Sequence, residues 1–419
     1  MALISLEAAR RRVLAQCQPV RARAIPLADA LGCVTSVPLT AEWPVPPFAN
    51  TAVDGFAVRA IDVGSTPVTL KVVGTIAAGA PPSMTVGAGE AVRILTGAPM
   101  PPGADAVVMV EDTDAWDGRS GREAGGISTA TTVEIRKAVA AGDNVRGAGD
   151  DLQAGQVVFG PGTVLGPGHL GVLASMGVRR VPVHPRARVG VLSTGDELVD
   201  GPEPLQPGQI RDSNRRMLLG LLSETNADPI DLGLVRDDEA ALTDALTDGL
   251  GRCDAVITSG GVSVGDFDYV KVVLDKLSGS TMQWMQIAIR PAKPFAFGTI
   301  DAKPVFGLPG NPVSSLVGFE VLARPAIRSM MGHPRLDRAQ VTAVADEALR
   351  RRADGKLHLV RVRAEWSDGD GRFHVRSSGG QASHLLRSMA LANALALVPD
   401  GEGVDAGAEV RVMLLSWPD

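Results

Sequence analysis

Residues 187–198 read ARVGVLSTGDEL, and this stretch decides the fold of the segment that follows. Val189, Val191 and Leu192 make a buried strand, with Thr194, Gly195, Asp196 and Glu197 at its carboxyl end. Outward from it the pattern repeats. A second strand, Ile230 to Val235, leads into Asp237 and Asp238, which open a helix carrying Ala241, Leu242, Ala245 and Leu246 on one face. A third unit, CDAVITSGGVSVGDFDY at 253–269, ends in Gly260 and Gly261 and then offers Asp266 and Asp268. A fourth, KPVFGLPGNPVSS at 303–315, breaks at Gly310 and starts a helix at Asn311 and Pro312, a favourable cap and first-turn pair.

Strands alternating with helices predict a central, mainly parallel α/β sandwich domain, and such sheets bind ligands at the carboxyl ends of their strands. Every loop just quoted falls there. Glycines let backbone amides approach an oxyanion, and helix N-termini favour negative charge. The carboxylates would oppose a bare phosphate: at about 4 Å and an effective dielectric of about 20, like charges repel by about 4 kcal/mol. Several acids beside a phosphate site therefore point to a divalent cation, and magnesium, with phosphate oxygens completing its shell, fits best.

The 419 residues suggest three or four domains. Only 9 Phe, 5 Trp and 1 Tyr are present, so the cores are expected to be aliphatic, while 48 Gly and 29 Pro imply many tight turns. With 41 basic residues against 47 acidic, a net charge of -6 and no long basic stripe, the chain is not expected to bind nucleic acid. Cys17, Cys33 and Cys253 show neither a disulfide framework nor metal-ligand spacing, which suits buried thiols in a reducing cytoplasm. No apolar run approaches the roughly 18 to 20 residues that cross a bilayer, so no membrane span is expected, and MALISLEAARRRVLAQC lacks the apolar core of a secretion signal. Leu6, Ala9, Val13 and Cys17 instead line one helical face.

Taken in order, 1–45 and 146–185 form a linking domain, 46–145 a β-rich domain, 186–330 the α/β domain and 335–419 a small C-terminal β-barrel, alternating at period two. Within the β-rich part, Asp54 sits beside Gly55 at a turn and Thr96 ends a strand. The polar stretch 114–131 is expected to be a mobile loop. Asp150 and Asp151, after Gly147 and Gly149, could hold a cation or form a solvated turn. P-loop and dinucleotide glycine motifs are missing, as are a serine nucleophile elbow and any histidine pairing that suggests zinc. Taken singly, Glu197 is an ordinary acid at a helix start and Lys293 an ordinary surface charge. It is the convergence of four loops on one sheet edge that carries weight.

The ordered set PPFANTAVDGFAV, RILTGAPMPPGADAVVMVE, NVRGAGDD, STGDEL, IRDSN, TSGGVSVGDFDY, RPAKPFAFG and GLPGNPVS resembles the molybdopterin molybdenumtransferase family, which is also similar to the enzymatic part of gephyrin. The resemblance spans nearly the whole chain. It implies four domains with a dimerising link, a homodimer, and an active site between the α/β domain of one subunit and the β-rich domain of the other. It also implies that adenylylated molybdopterin and molybdate are the substrates, that molybdenum enters at the dithiolene, and that AMP leaves with magnesium present.

By that resemblance Asp54, Asp151, Asp196 and Glu197 are the catalytic acids, Glu197 closest to the chemistry, and Asp237 and Asp268 the metal ligands. Gly260, Gly261, Ser263, Gly310, Asn311, Pro312 and Ser314 would hold phosphate and nucleotide, with Thr96 and Arg361 as further polar contacts. Arg290, Lys293 and Ser383 would receive molybdate. The chain departs from the family pattern at three places: Arg290-Pro-Ala-Lys-Pro where Lys-Pro-Gly-Lys-Pro is usual, Ala49 where Asp is frequent, and Phe56 where Tyr is common. Two alternatives stand beside this reading. One is a molybdopterin adenylyltransferase, which would need only 186–330 and would consume ATP; the other is a non-catalytic scaffold of the gephyrin kind.

Overall fold

The computed structural model describes residues 3–116, 131–261 and 269–417. Most of the expected loop at 114–131 lies outside them, as do Ser263, Asp266 and Asp268. The chain forms two compact units: one comprises Val37–Pro161 with Pro167–Arg179, the other the N-terminal residues to Ser36, Gly162–Gly166 and everything from Arg180 onward.

The larger unit is built on a six-stranded sheet, in the order 228–235, 188–194, 255–259, 303–308, 294–300, 283–286. The first four strands are parallel to one another, and the last two return antiparallel as a hairpin. The sheet is mainly parallel because its strands are apolar runs buried on both sides. One face packs Val189, Val191, Ile257 and Phe306 against Ala9 and Val13 of helix Leu6–Leu14, Leu218 and Leu222 of Asn214–Glu224, and the long helical stretch from Pro312 to Met330. The other face packs Leu192, Val256 and Val305 against Leu242 and Leu246 of Glu239–Arg252 and Val270 and Val273 of Tyr269–Leu277. Each such side chain contributes about 1.5 to 3 kcal/mol by burial. Cys17, Cys33 and Cys253 are all free and buried.

The C-terminal part of this unit closes on itself. Strands 357–367, 372–377, 340–345, 409–414 and 394–398 pair in that order, and the last returns to the first. A further ladder, Ile289–Arg290 parallel to Leu357–His358, joins this barrel to the α/β part. The smaller unit carries a five-stranded sheet in the order 106–109, 55–58, 90–94, 68–76, 132–135, with separate cores on its two faces. No described helix is long and apolar enough to cross a membrane.

Candidate active site

At the carboxyl rim of the parallel strands, side chains from successive loops meet. Thr194, buried at the end of its strand, donates through Oγ1 to Asp237 Oδ1 at 3.2 Å. The Asp237 backbone N–H points back to Asp196 Oδ1 at 3.4 Å, so the carboxylate of one loop reaches the backbone of the loop after the neighbouring strand. Asp238, next in the chain, is spent on local structure: it caps Glu239–Arg252 by accepting from the Ala241 N–H at 2.8 Å. Gly195 has φ +146, and a Cβ there would lie 2.6 Å from a carboxylate oxygen of Glu197. The Glu197 carboxylate therefore folds over the glycine turn; a larger residue at position 195 would push it aside and would strain a backbone that favours glycine. Gly260 (φ +102) and Gly261 (φ +69) follow the adjacent strand, and a Cβ on Gly260 would come within 3.0 Å of the Thr194 carbonyl.

Asn214, from the first turn of its helix, ties this rim together. Its Nδ2 donates to Ser259 Oγ at 2.9 Å and to the Gly310 carbonyl at 2.7 Å, while its Oδ1 is buried without a partner. The helix start is itself anchored. Asp212 accepts from Ser193 Oγ at 3.0 Å and from Arg215 Nε at 2.8 Å, and the buried Arg215 guanidinium also binds Asp231 and Asp200. Those contacts hold the Asp200 carboxyl below the usual carboxylate range, mainly through its hydrogen bond to Arg215. Sequence reading quoted Asn214 only inside IRDSN and missed Arg215. The three acids that surround it stand at positions 200, 212 and 231, and no periodicity links them.

A second feature opens where the α/β part meets the barrel. A cleft of about 390 Å³ is lined by Arg290, Lys293, Ser314, Lys356, Gln381, Ser383 and His384. Four of these, Arg290, Lys293, Ser314 and Ser383, were expected in the site from the sequence. Lys356 is held at 2.9 Å from Asp354 Oδ2, and that carboxyl is pulled down to about 2, first by the lysine and then by His358. The Val313 N–H donates to the Ser383 carbonyl at 3.1 Å, fixing the barrel loop on the helix start. The segment 310–314 thus serves both features: Gly310 belongs to the rim and Ser314 lines the cleft. Between Arg290 and Lys293, Ala292 takes φ +69, a backbone conformation that favours glycine.

Arg361 is placed differently from the expectation that it contacts substrate. It is fully buried, donating through Nη2 to the carbonyls of Gly380 and Ala382, and it does not line the cleft. Its role in this structure is to shape the loop that presents Ser383.

In the smaller unit Thr96 donates twice to Asp54 Oδ1, through its N–H and its Oγ1, both at 2.6 Å. These bonds, the hydroxyl's first, hold the Asp54 carboxyl below the usual range. Gly55 is required beside it, because a Cβ there would collide with the Val108 carbonyl. Asp151 is exposed, and its N–H donates to the Val45 carbonyl at 3.0 Å. Among the described residues no group of three or more His, Cys, Asp or Glu side chains converges as a metal site.

Three family models match the chain in order: the MoeA N-terminal region (domain I and II) over residues 4–177, a "Probable molybdopterin binding domain" over 190–329, and the MoeA C-terminal region (domain IV) over 343–415. The chain is 38% identical over 414 residues to a molybdopterin molybdenumtransferase of Haemophilus influenzae, covering 98% of each. It is 34% identical over 406 residues to one of Bacillus subtilis, covering 94% of this chain and 91% of that one. A solved molybdopterin biosynthesis MoeA protein of Pyrococcus horikoshii superposes with a TM-score of 0.78 at 30% identity, covering 100% of both chains. The architecture is thus that of a multidomain α/β and β enzyme of the molybdopterin-binding class. Within that class, the chain belongs to the molybdopterin molybdenumtransferase family.

Proposed function

We propose that this chain inserts molybdenum into adenylylated molybdopterin, converting molybdate and the adenylylated pterin into molybdenum cofactor and AMP. The observation that carries the reading is the continuity of a cationic cleft with a glycine-rich, acid-bearing rim through the single segment 310–314. Molybdate is a tetrahedral dianion and needs cationic and hydroxyl donors. Arg290, Lys293, Ser314 and Ser383 supply them, each charge-assisted bond contributing about 1.5 to 3 kcal/mol. Arginine in place of the usual first lysine offers a planar fork to two oxygens rather than a point charge.

On the rim, the turns at Gly260, Gly261 and Gly310 to Pro312 hold the phosphates and nucleotide, close to the dithiolene end that meets molybdate. Glu197 is the acid nearest the anhydride being split, with Asp196 beside it. Asp54, held ionised by Thr96, and Asp151 act as further acids. Asp237, with Asp268 outside the described residues, would hold magnesium, which takes one or two carboxylates and completes its shell with phosphate oxygens; Asp196 reaches the Asp237 backbone. When bound, magnesium supplies charge neutralisation across the anhydride. The three buried free thiols suit a reducing cytoplasm, and the working form is a homodimer, which sedimentation equilibrium checks.

The test mixes purified protein with adenylylated molybdopterin, magnesium and molybdate and follows AMP and metallated product. Release of AMP that depends on molybdate is expected, falling about 100-fold in Glu197→Ala. Consumption of ATP with no such release would point to an adenylyltransferase instead.

A further inference from the structure

At the amino ends of the same parallel strands, opposite the rim described above, lie two clefts of about 690 and 550 Å³ that share Arg23, Pro185 and Arg186. Arg21, Arg188 and Lys303 line the first and Arg180 the second. Arg188 and Lys303 begin strands 188–194 and 303–308, so the topology itself gathers cations at this edge.

The lining is out of keeping with the chain, whose net charge is -6. Only Asp29, Asp228 and Asp254 oppose the six cations, and none of those six makes an ion pair with a described carboxylate. Asp254 already accepts from the Arg188 backbone N–H at 2.8 Å. Where these cations have partners, the partners are neutral carbonyls: Arg180 donates to Ala24, Arg186 to Leu31 and Lys303 to Leu250. Arg186 Nε, at the junction of the clefts, is buried with no partner. Elsewhere Arg215, Arg338 and Arg351 are each held by two or more carboxylates, a compensation that this face lacks. Cations crowded into a concave site without a carboxylate partner repel one another, and an anion relieves that repulsion.

We propose that this double cleft is a binding site for a small molecule carrying a diphosphate group, gripped at the junction by Arg23 and Arg186. Five of the six cations are arginines, whose forks match phosphoryl oxygens two at a time. Two lobes meeting at a shared pair of arginines suit two linked charged centres better than one. The volumes are those of a small-molecule site rather than a flat protein face.

The experiment is calorimetric titration of the full-length protein with inorganic pyrophosphate, with phosphate and citrate as comparison probes. One site per chain is expected, tighter for pyrophosphate than for either comparison. Binding should survive in Arg290→Gln/Lys293→Gln, which separates this site from the molybdate cleft. It should weaken at least tenfold in Arg21→Gln/Arg23→Gln, two exposed positions whose loss leaves the fold intact. Arg186→Lys, which keeps the charge and loses the fork, should weaken it similarly at an unchanged melting temperature. Absent binding, or affinity unchanged in Arg21→Gln/Arg23→Gln, overturns the proposal. Citrate binding as tightly as pyrophosphate overturns the phosphoryl assignment. A drop in oligomeric state of the same double variant during sedimentation would make this face an interface between copies and also overturns it.

Discussion

Thr96 gives both of its donors to one oxygen of Asp54, and that small geometry has a pH signature. A carboxyl held low in the folded state stabilises the fold above its ordinary value and loses that contribution as acid protonates it. Replacing Thr96 with Val removes the hydroxyl donor and lets the carboxyl drift back up. The melting temperature of Thr96→Val should therefore trail the wild type modestly at neutral pH, since the pair is exposed, and the gap should close on acidification. A gap that is the same at every pH would refute this account. Arg361 makes a different prediction. Arg361→Met leaves the Gly380 and Ala382 carbonyls without their donor, at a cost of about 1 to 3 kcal/mol, and loosens the loop that presents Ser383. Its KM for molybdate should rise several-fold while AMP release at saturating molybdate changes little. Sequence marks Asp54, Thr96 and Arg361 one at a time. It cannot show that the first two share an oxygen, because strands 55–58 and 90–94 bring together residues 42 apart. Nor can it show that Arg361 points into the protein, because the carbonyls it serves sit on a loop with no pattern of its own.

Elements tell a clearer story. The strands at 188–194, 255–259 and 303–308 announce themselves as apolar runs closed by glycine, and the loops after them are where sequence reading puts the ligand rim. Helix Leu6–Leu14 likewise buries the face that its spacing predicts. The antiparallel hairpin 283–300 was not legible, because strand direction is decided by which neighbour is free and not by composition. Equally hidden is the network that fastens helix Asn214–Glu224 to the sheet. Arg215 there faces three carboxylates, of which Asp212 is buried. Arg215→Met would strand that buried charge, a change that costs about 3 to 5 kcal/mol when one partner of such a group is removed. Chemical denaturation should show the loss. Full stability in that variant would mean the network is ornamental.

Over the whole molecule, a chain of net charge -6 still gathers cations without a described carboxylate partner in concave places, Arg290 and Lys293 beside the barrel and Arg23 and Arg186 at the opposite edge of the sheet. The barrel is part of the same arrangement. Ending the chain at residue 335 would remove Lys356 and residues 381–384 from the cleft and leave Ile289–Arg290 without a partner strand. Such a fragment should fail to bind molybdate and should self-associate through the bared edge, which light scattering would reveal. The short ladder between residues 289–290 and 357–358 also bears on recombination. A chimera crossed over near residue 335 would raise its oxyanion receptor from two parents, one wall from each, with a backbone seam running between them. Only pairs of parents whose seams already match should yield a working hybrid, so this border is a poor place to shuffle even though it looks like a natural joint.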